Sequence, residues 1–575
     1  MKKTILATQI LIFSILHAQN LSTPFEQSKG LQTATYTQCI DYYRKLDAMY
    51  ANIVLKTWDT TDAGYPLNVL LYSADGQFDP TVWHKQKKVV ILINNGIHPG
   101  EPDGVDACMM LLRDLASGKI KTPANVAIAV IPLYNIGGSL NRGSFSRVNQ
   151  NGPESYGFRG NAQNLDLNRD FIKSDSKNAR AFAKIFQWIN PDVFSDNHVS
   201  DGADYRYTMT LISTQHNKLE GGIGDFAHDI FDSALYRDMA KKNWVMTPYV
   251  NAEGTDPVNG WTAFYEPPRF SSGYASLFST IAFIPETHML KPFADRVAST
   301  YALMQTLIEQ SSLYGDSIIV KRKRTIEAQE KQTTFVLSWK PDTTSFDLIP
   351  FKGYEAGYKT SGVTGMQRMF FDHSKPFDKQ VRFYNTYIPA KTVEKPKAYI
   401  IPQGWWSVID LLKINGVVMK RLAADTTITV DAYHIDDYKS QTRPYEKHHR
   451  NYDVKLSTQS QNVRFLKGDY IIYTSQRHDR YIVETLEPLG DDSFFSWNFF
   501  DAILQQKEGY SDYRWEDVAE PFIQQHPEIK DQLEEKKKTD AKFAASADAQ
   551  LEFVYRLSPY YEPSHMRYPV FRLVK

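Results

Sequence analysis

The chain has 575 residues, 42% of them apolar, and its 66 basic residues balance 66 acidic ones. That apolar content supports sizeable cores and excludes a disordered chain, and the length leaves room for several domains. Balanced charge leaves no footprint for nucleic acid or an acidic membrane surface.

The first residues read as a secretory signal: Lys2 and Lys3, an apolar stretch Ile5–Leu16, then the small residue Ala18. Cleavage is expected after Ala18, although Leu16 departs from the small-x-small pattern. No cysteine follows to take a lipid anchor, and no other stretch reaches the roughly 18–20 apolar residues of a membrane span. The expectation is a secreted or periplasmic protein with signal residues 1–18. The only two cysteines, Cys39 and Cys108, fall in helical contexts and suit two buried thiols as well as one disulfide.

Residues 35–315 alternate strand and helix patterns, which predicts an α/β domain with a mixed, largely parallel sheet flanked by helices. The β-branched run Lys88–Asn95 is followed by a helix near Asp103–Ala116 and a strand at Val126–Leu133. A long polar loop spans Asn135–Asn164, a length that points to function. A helix near Ser176–Ile189 is stopped by Pro191, and strands follow at Asp192–Asn197, Arg206–Ser213 and Thr280–Pro285. A helix near Ala294–Ser311 closes the unit. The basic run Lys321–Arg324 reads as a solvated junction. Beyond it residues 330–575 read as a separate α+β or β-rich region of unassigned role. Strands are expected there at Thr333–Ser338, Ala398–Ile401, Thr426–Tyr433 and Asp469–Thr474. Helices are expected at Trp406–Asn415 and Glu528–Phe553.

His98 and Glu101 stand just past the carboxyl end of the Lys88–Asn95 strand, and His198 stands at the end of Asp192–Asn197. Carboxyl ends of neighbouring strands are where open α/β sheets place their sites. Two histidines and a carboxylate give a tetrahedral ion three ligands and leave the fourth position for a water, the pattern of a catalytic metal. Alone, His-x-x-Glu is a polar turn that chance supplies in a chain with 14 His and 66 acidic residues. Its weight comes from the residues further down the chain.

In the long loop, Arg159-Gly160-Asn161 precedes Asp166-Leu167-Asn168-Arg169-Asp170, and Glu286 ends the strand Phe283-Ile284-Pro285. With His98-x-x-Glu101 and the late His198, these landmarks in this order resemble the zinc metallocarboxypeptidases of the carboxypeptidase A type, over about residues 35–315. The resemblance implies one zinc ion on His98, Glu101 and His198, with Asp166 bonded to a ligand imidazole. It implies Glu286 as general base and acid, and Arg159 as the arginine that polarises the scissile carbonyl, with Arg147 and Arg142 competing for that role. Asn168 and Arg169 would grip the carboxylate of a peptide with a free C-terminus, and Tyr265 or Tyr274 would close over it. Arg269 suits a substrate carboxylate or solvent.

The chain departs from the family at Gly100, where digestive members carry an arginine, so specificity differs. His288 shares strand phase with Glu286 and reads as structural or solvent-facing. The resemblance makes the chain a secreted carboxypeptidase. An amidohydrolase of peptidoglycan stem peptides or of acylated amino acids fits the same scaffold. A binding protein with a relic metal domain is the reading from outside enzymology, and it must explain an intact set of ligands and base.

Overall fold

The computed structural model describes residues 21–252 and 254–574; the expected signal, residues 1–18, lies outside them. After helix α1 (Tyr36–Met49), capped by the reciprocal pair Thr35 and Gln38, the chain lays down β1 (Ile53–Thr60), β2 (Pro66–Ser73) and β3 (Val89–Asn94). Helix α2 (Asp103–Ala116), β4 (Val126–Ile131), α3 (Lys177–Ile189), β5 (Val193–Asp196), β6 (His198–Ser200) and β7 (Met209–Ser213) follow. Then come β8 (Thr247–Pro248), β9 (Trp261–Thr262), β10 (Ile281–His288) and α4 (Phe293–Leu313).

Nine of these strands form one sheet in the order β1-β2-β4-β3-β5-β10-β7-β8, with β6 paired to β10. Pairs β3–β4, β3–β5, β5–β10, β6–β10 and β7–β8 are parallel, whereas β1–β2, β2–β4 and β7–β10 are antiparallel. The expected mixed, largely parallel sheet is therefore present. Every residue of β3 and β4 is buried, as a strand covered on both faces requires. Val90 and Leu92 face one core and Val89, Ile91 and Ile93 the other, the period-two division of a pleated strand. Each such side chain contributes about 1.5–3 kcal/mol relative to exposure. Helix α3 ends at Asn190, which takes a left-handed φ of 52° before Pro191, so the chain turns at once into β5. Cys39 and Cys108 are both buried and both free.

The basic run Lys321–Arg324 is solvated in part, with Lys323 and Arg324 exposed and Lys321 half-buried, but Arg322 departs from that reading. It lies within α5 (Gly315–Lys331), and Arg322 is buried against the sheet, paired with Asp192 at 2.9 Å and donating to the carbonyls of Asn190, Ser279 and Phe278. The guanidinium's five donors find acceptors there, which allows a charge to sit under the strand end.

The β-rich region follows. Strand β11 (Thr334–Pro341) pairs with β14 (Tyr387–Glu394), and β12 (Asp347–Thr360) forms a long hairpin with β13 (Gln367–Tyr384) that also takes in β9. The remaining strands, β15 (Ala398–Ile401), β16 (Lys420–Arg421), β17 (Thr426–Ser440), β18 (Asn451–Phe465), β19 (Tyr470–Tyr473) and β20 (Phe571–Leu573), make a six-stranded sheet. Helix α6 (Trp406–Ile414) lies where expected, and the charged tail forms helices Pro527–Thr539, Ala541–Ala544 and Ala547–Arg556 rather than one. Phe335, Tyr399, Leu412, Ile482 and Trp497 pack into the same core as Leu92, Phe182 and Tyr274. Both halves of the chain thus share apolar packing. Among the described residues no helix is long and apolar enough to cross a membrane.

Candidate functional site

The site forms where the strand order reverses, at the carboxyl ends of β3 and β5. Gly96, at φ +64°, takes a backbone conformation that costs glycine little and swings the chain over the strand end to His98. The turn closes with the Glu101 N–H donating to the His98 carbonyl at 2.8 Å. His198 opens β6 and lies directly beside Glu286 of β10 in their parallel register.

Three ligating atoms of His98, Glu101 and His198 lie within 4.8 Å of one another, and all three residues are buried. Each imidazole turns Nε2 to a carboxylate, His98 to Asp166 at 2.9 Å and His198 to Asp196 at 3.1 Å. Those partners fix the tautomers and leave both Nδ1 atoms facing the Glu101 carboxylate, at 3.1 Å each. Three acceptors converging in the protein interior call for a cation. The donor set of two nitrogens and a carboxylate, with one position left open, suits zinc. Further support for Glu101 comes from the Val199 N–H at 2.9 Å and Arg147 Nη2 at 2.7 Å.

A cleft of about 600 Å³ opens over this cluster, lined by Arg147, Arg159, Asn168, Arg169, Glu266 and Glu286 among others. Glu286 Oε2 is buried without a hydrogen-bond partner, and burial pushes its carboxyl up to about 8, with the charges of Glu101 and Glu266 adding to the effect. Glu266 is 4% exposed. Its carboxylate accepts from the Ser272 hydroxyl and joins no ion pair among the described residues, and burial raises it to about 8 as well.

Arg159 donates to Asp166 Oδ2 through Nε at 3.0 Å and Nη2 at 2.8 Å, and its Nη1 stands 3.7 Å from Glu101. Arg147 is equally at the cluster. An added Cβ at Gly100 would collide with its side chain, so glycine at 100 makes room for an arginine that arrives from the long loop. Arg142 turns away to the carbonyls of Thr33 and Ala34. Arg169 lies 4.1 Å from the centroid of the Phe270 ring, a cation–π contact that holds the guanidinium flat at the cleft wall. Asn168 Oδ1 accepts from the Ser271 N–H at 3.4 Å. Asp170, fully buried, accepts from Lys173 Nζ, the Ser176 hydroxyl and two backbone N–H groups, which makes the loop after Arg169 rigid.

Neither expected tyrosine stands at the cleft. Tyr274 is 0% exposed in the core, its hydroxyl donating to Asn415 at 2.6 Å, and Tyr265 donates to Asp491 at 3.2 Å and stacks on Tyr387. Tyr249 and Phe264 line the cleft instead, their rings 5.9 Å apart. Tyr249 follows the two-residue strand β8, too short to read as a strand, which is why the sequence did not single it out. Arg269 is held by Asp492 at 2.8 Å. His288 is buried and structural, its Nε2 3.0 Å from the Ala203 carbonyl and its Nδ1 accepting from the Leu290 N–H.

Residues 39–229 match the family model of the zinc carboxypeptidases. Carboxypeptidase 2 of Trichophyton tonsurans is 23% identical over 442 residues, covering 71% of this chain and 74% of the relative. That of Trichophyton rubrum is 22% identical over 442 residues, covering 72% and 74%. Among solved structures, carboxypeptidase A from Helicoverpa armigera aligns over 49% of this chain and 74% of its own at 12% identity and a TM-score of 0.37. A metallo-carboxypeptidase from Burkholderia cenocepacia aligns over 47% and 68% at 14% identity and a TM-score of 0.34.

Proposed function

We propose that the chain carries a catalytic domain of the zinc carboxypeptidases of the carboxypeptidase A type and is a secreted exopeptidase that removes single residues from free peptide C-termini, with Glu286 as its base. The observation that carries the reading is the juxtaposition, in one cleft, of a three-ligand cluster, an unpartnered buried carboxylate and an Asn-Arg pair. Secretion rests on Lys2, Lys3, the Ile5–Leu16 stretch and Ala18.

Zinc on His98, Glu101 and His198 would supply a Lewis acid at the scissile carbonyl and make an attacking water acidic. Asn168 and Arg169 bind the terminal carboxylate, the guanidinium through two parallel N–H bonds. Arg159 and Arg147 donate to the carbonyl oxygen as it gains charge, a contribution worth about 2.7–4 kcal/mol where one such donor is removed. Glu286 Oε2 takes the proton of the attacking water and returns it to the leaving amine. Asp166 and Asp196 hold the imidazoles in the ligating tautomer. Tyr249 is our choice for the aromatic wall over the bound residue.

Arg169→Ala tests the exopeptidase reading. It is expected to raise KM for free-acid peptides with little effect on any slow cleavage of their amides; an equal loss on both would remove the argument.

Glu266 suggests the class of terminal residue. A buried carboxylate outside any direct ion pair is costly even with Lys218 and Arg169 nearby, and an ammonium or guanidinium on the substrate's last side chain would complete that pair. The enzyme should prefer C-terminal Lys or Arg. Glu266→Gln should then lower kcat/KM for those residues about tenfold or more while sparing a terminal Leu, as the coupling of close charge pairs across interfaces implies. Parallel losses for Lys and Leu would reject this assignment.

A further inference from the structure

We propose that the carboxyl-terminal region is a working part of the active site, with Glu446, at the tip of the β17–β18 hairpin, as a positioning residue that holds the Asp166 segment in place. The proposal rests on the roles given above to Asp166, Asn168 and Arg169. It assigns a task to the half of the chain that the catalytic motifs leave unexplained.

Residues 441–450 join β17 to β18 and fold back onto the catalytic half. The Asp166 N–H donates to Glu446 Oε2 at 2.8 Å. Asp166 is a junction. Its Oδ1 accepts from the Asn168 N–H at 2.9 Å and meets His98 Nε2, and its Oδ2 binds Arg159. Asp166 also caps the single 3-10 turn, Leu167–Arg169, that carries both residues of the proposed carboxylate grip. A backbone shift at residue 166 therefore moves the metal cluster and the grip together. Glu446 is the side chain that accepts from that backbone N–H.

The same tip anchors the far end of the segment. His448 Nε2 lies 2.7 Å from Asp175 Oδ2, and Asp175 is in turn paired with Lys173 at 2.8 Å. Arg450 donates to Ser496 at 2.9 Å and to Asp492 at 3.1 Å, the carboxylate that also holds Arg269 beside Phe270. Two of the cleft segments that carry proposed substrate contacts, that of Asn168 and Arg169 and that of Glu266, are thus tied to the carboxyl-terminal region.

Backbone conformation at the tip points the same way. Tyr445 and His448 exchange backbone hydrogen bonds at 2.8 and 3.1 Å around Glu446 and Lys447, whose φ angles are 48° and 77°. Two consecutive left-handed residues make the tight hairpin turn that Asn-Gly forms with least strain. Glu-Lys is a poor choice for such a turn if the turn is all it serves. Strain kept at a position whose side chain reaches a functional segment is the pattern of a site held in place by its surroundings.

The test uses the full mature protein and two readouts, zinc affinity by competition with a chromophoric chelator and KM on a free-acid peptide. Glu446→Ala should weaken zinc about tenfold and raise KM about tenfold, the low end of the range for outer partners of metal ligands. Glu446→Gln keeps an oxygen that accepts the same bond and should restore both. Lys447→Gly relieves the turn without touching the contact, so it should raise Tm and leave both constants unchanged, separating positioning from folding. Wild-type constants in Glu446→Ala, or Glu446→Gln as impaired as Glu446→Ala, would overturn the proposal. Zinc affinity is read without turnover, so failure of the exopeptidase reading is distinguishable from failure of this one.

Discussion

Glu286→Gln is expected to lower kcat by about 10²–10⁴-fold, the range that a positioned general acid–base group supplies, while the protein still binds one zinc ion. The amide keeps the shape of the carboxylate, and Glu286 is not one of the three proposed ligands, so zinc content should be unchanged. What is lost is the basic oxygen Oε2, buried without a hydrogen-bond partner at the cleft floor. Burial pushes the Glu286 carboxyl up to about 8, and positive charge at the neighbouring His198 opposes that rise. Kinetics beside elemental analysis check the prediction. Turnover surviving in the variant would move the base elsewhere, with Glu266, another carboxylate lining the cleft, the next to examine.

His198→Ala carries the second large effect. With one of three proposed ligands gone, zinc affinity should fall by more than the about 10–100-fold that loss of an outer partner costs, and activity should fall with it. The matched comparison is Asp196→Ala, which removes only the carboxylate 3.1 Å from His198 Nε2 and should stay within that range. Stability gives an independent reading. A ligand at about 1,000 times its Kd stabilises the native state by about 4 kcal/mol, so added zinc should raise the wild-type Tm by several degrees. The same zinc should leave the Tm of His198→Ala nearly unmoved. Equal zinc-induced shifts in both proteins would place the ion outside the His98, Glu101 and His198 cluster.

The catalytic half was legible because its signals are local. The apolar run before Gly96, the His98-x-x-Glu101 turn and the Pro191 stop each sit within a few residues of the structure they produce. The spacing of Asp166, Asn168 and Arg169 does the same for the loop that carries them. What escaped the sequence depends on distant partners. Tyr274 and Tyr249 differ little in local pattern, and only the position of Asn415 and of the β7–β8 edge decides which is core and which lines the cleft. Arg322 reads as solvated until Asp192 and three carbonyls close around it. The β12–β13 hairpin is exposed along much of both faces, so it lacks the apolar alternation that reveals a strand, and Pro350 and Pro376 within it argue locally against one. The bond from the Asp166 N–H to Glu446 spans 280 positions and leaves no trace in either segment.

The central claim is carboxypeptidase action on free C-termini. Its most direct test is mass spectrometry of paired peptides, identical except for a free or amidated C-terminus, after incubation with the zinc-loaded protein. The account predicts stepwise loss of single terminal residues from the free acids, fastest for terminal Lys or Arg, with the amides left intact. Internal cleavage, or equal trimming of acids and amides, would contradict it.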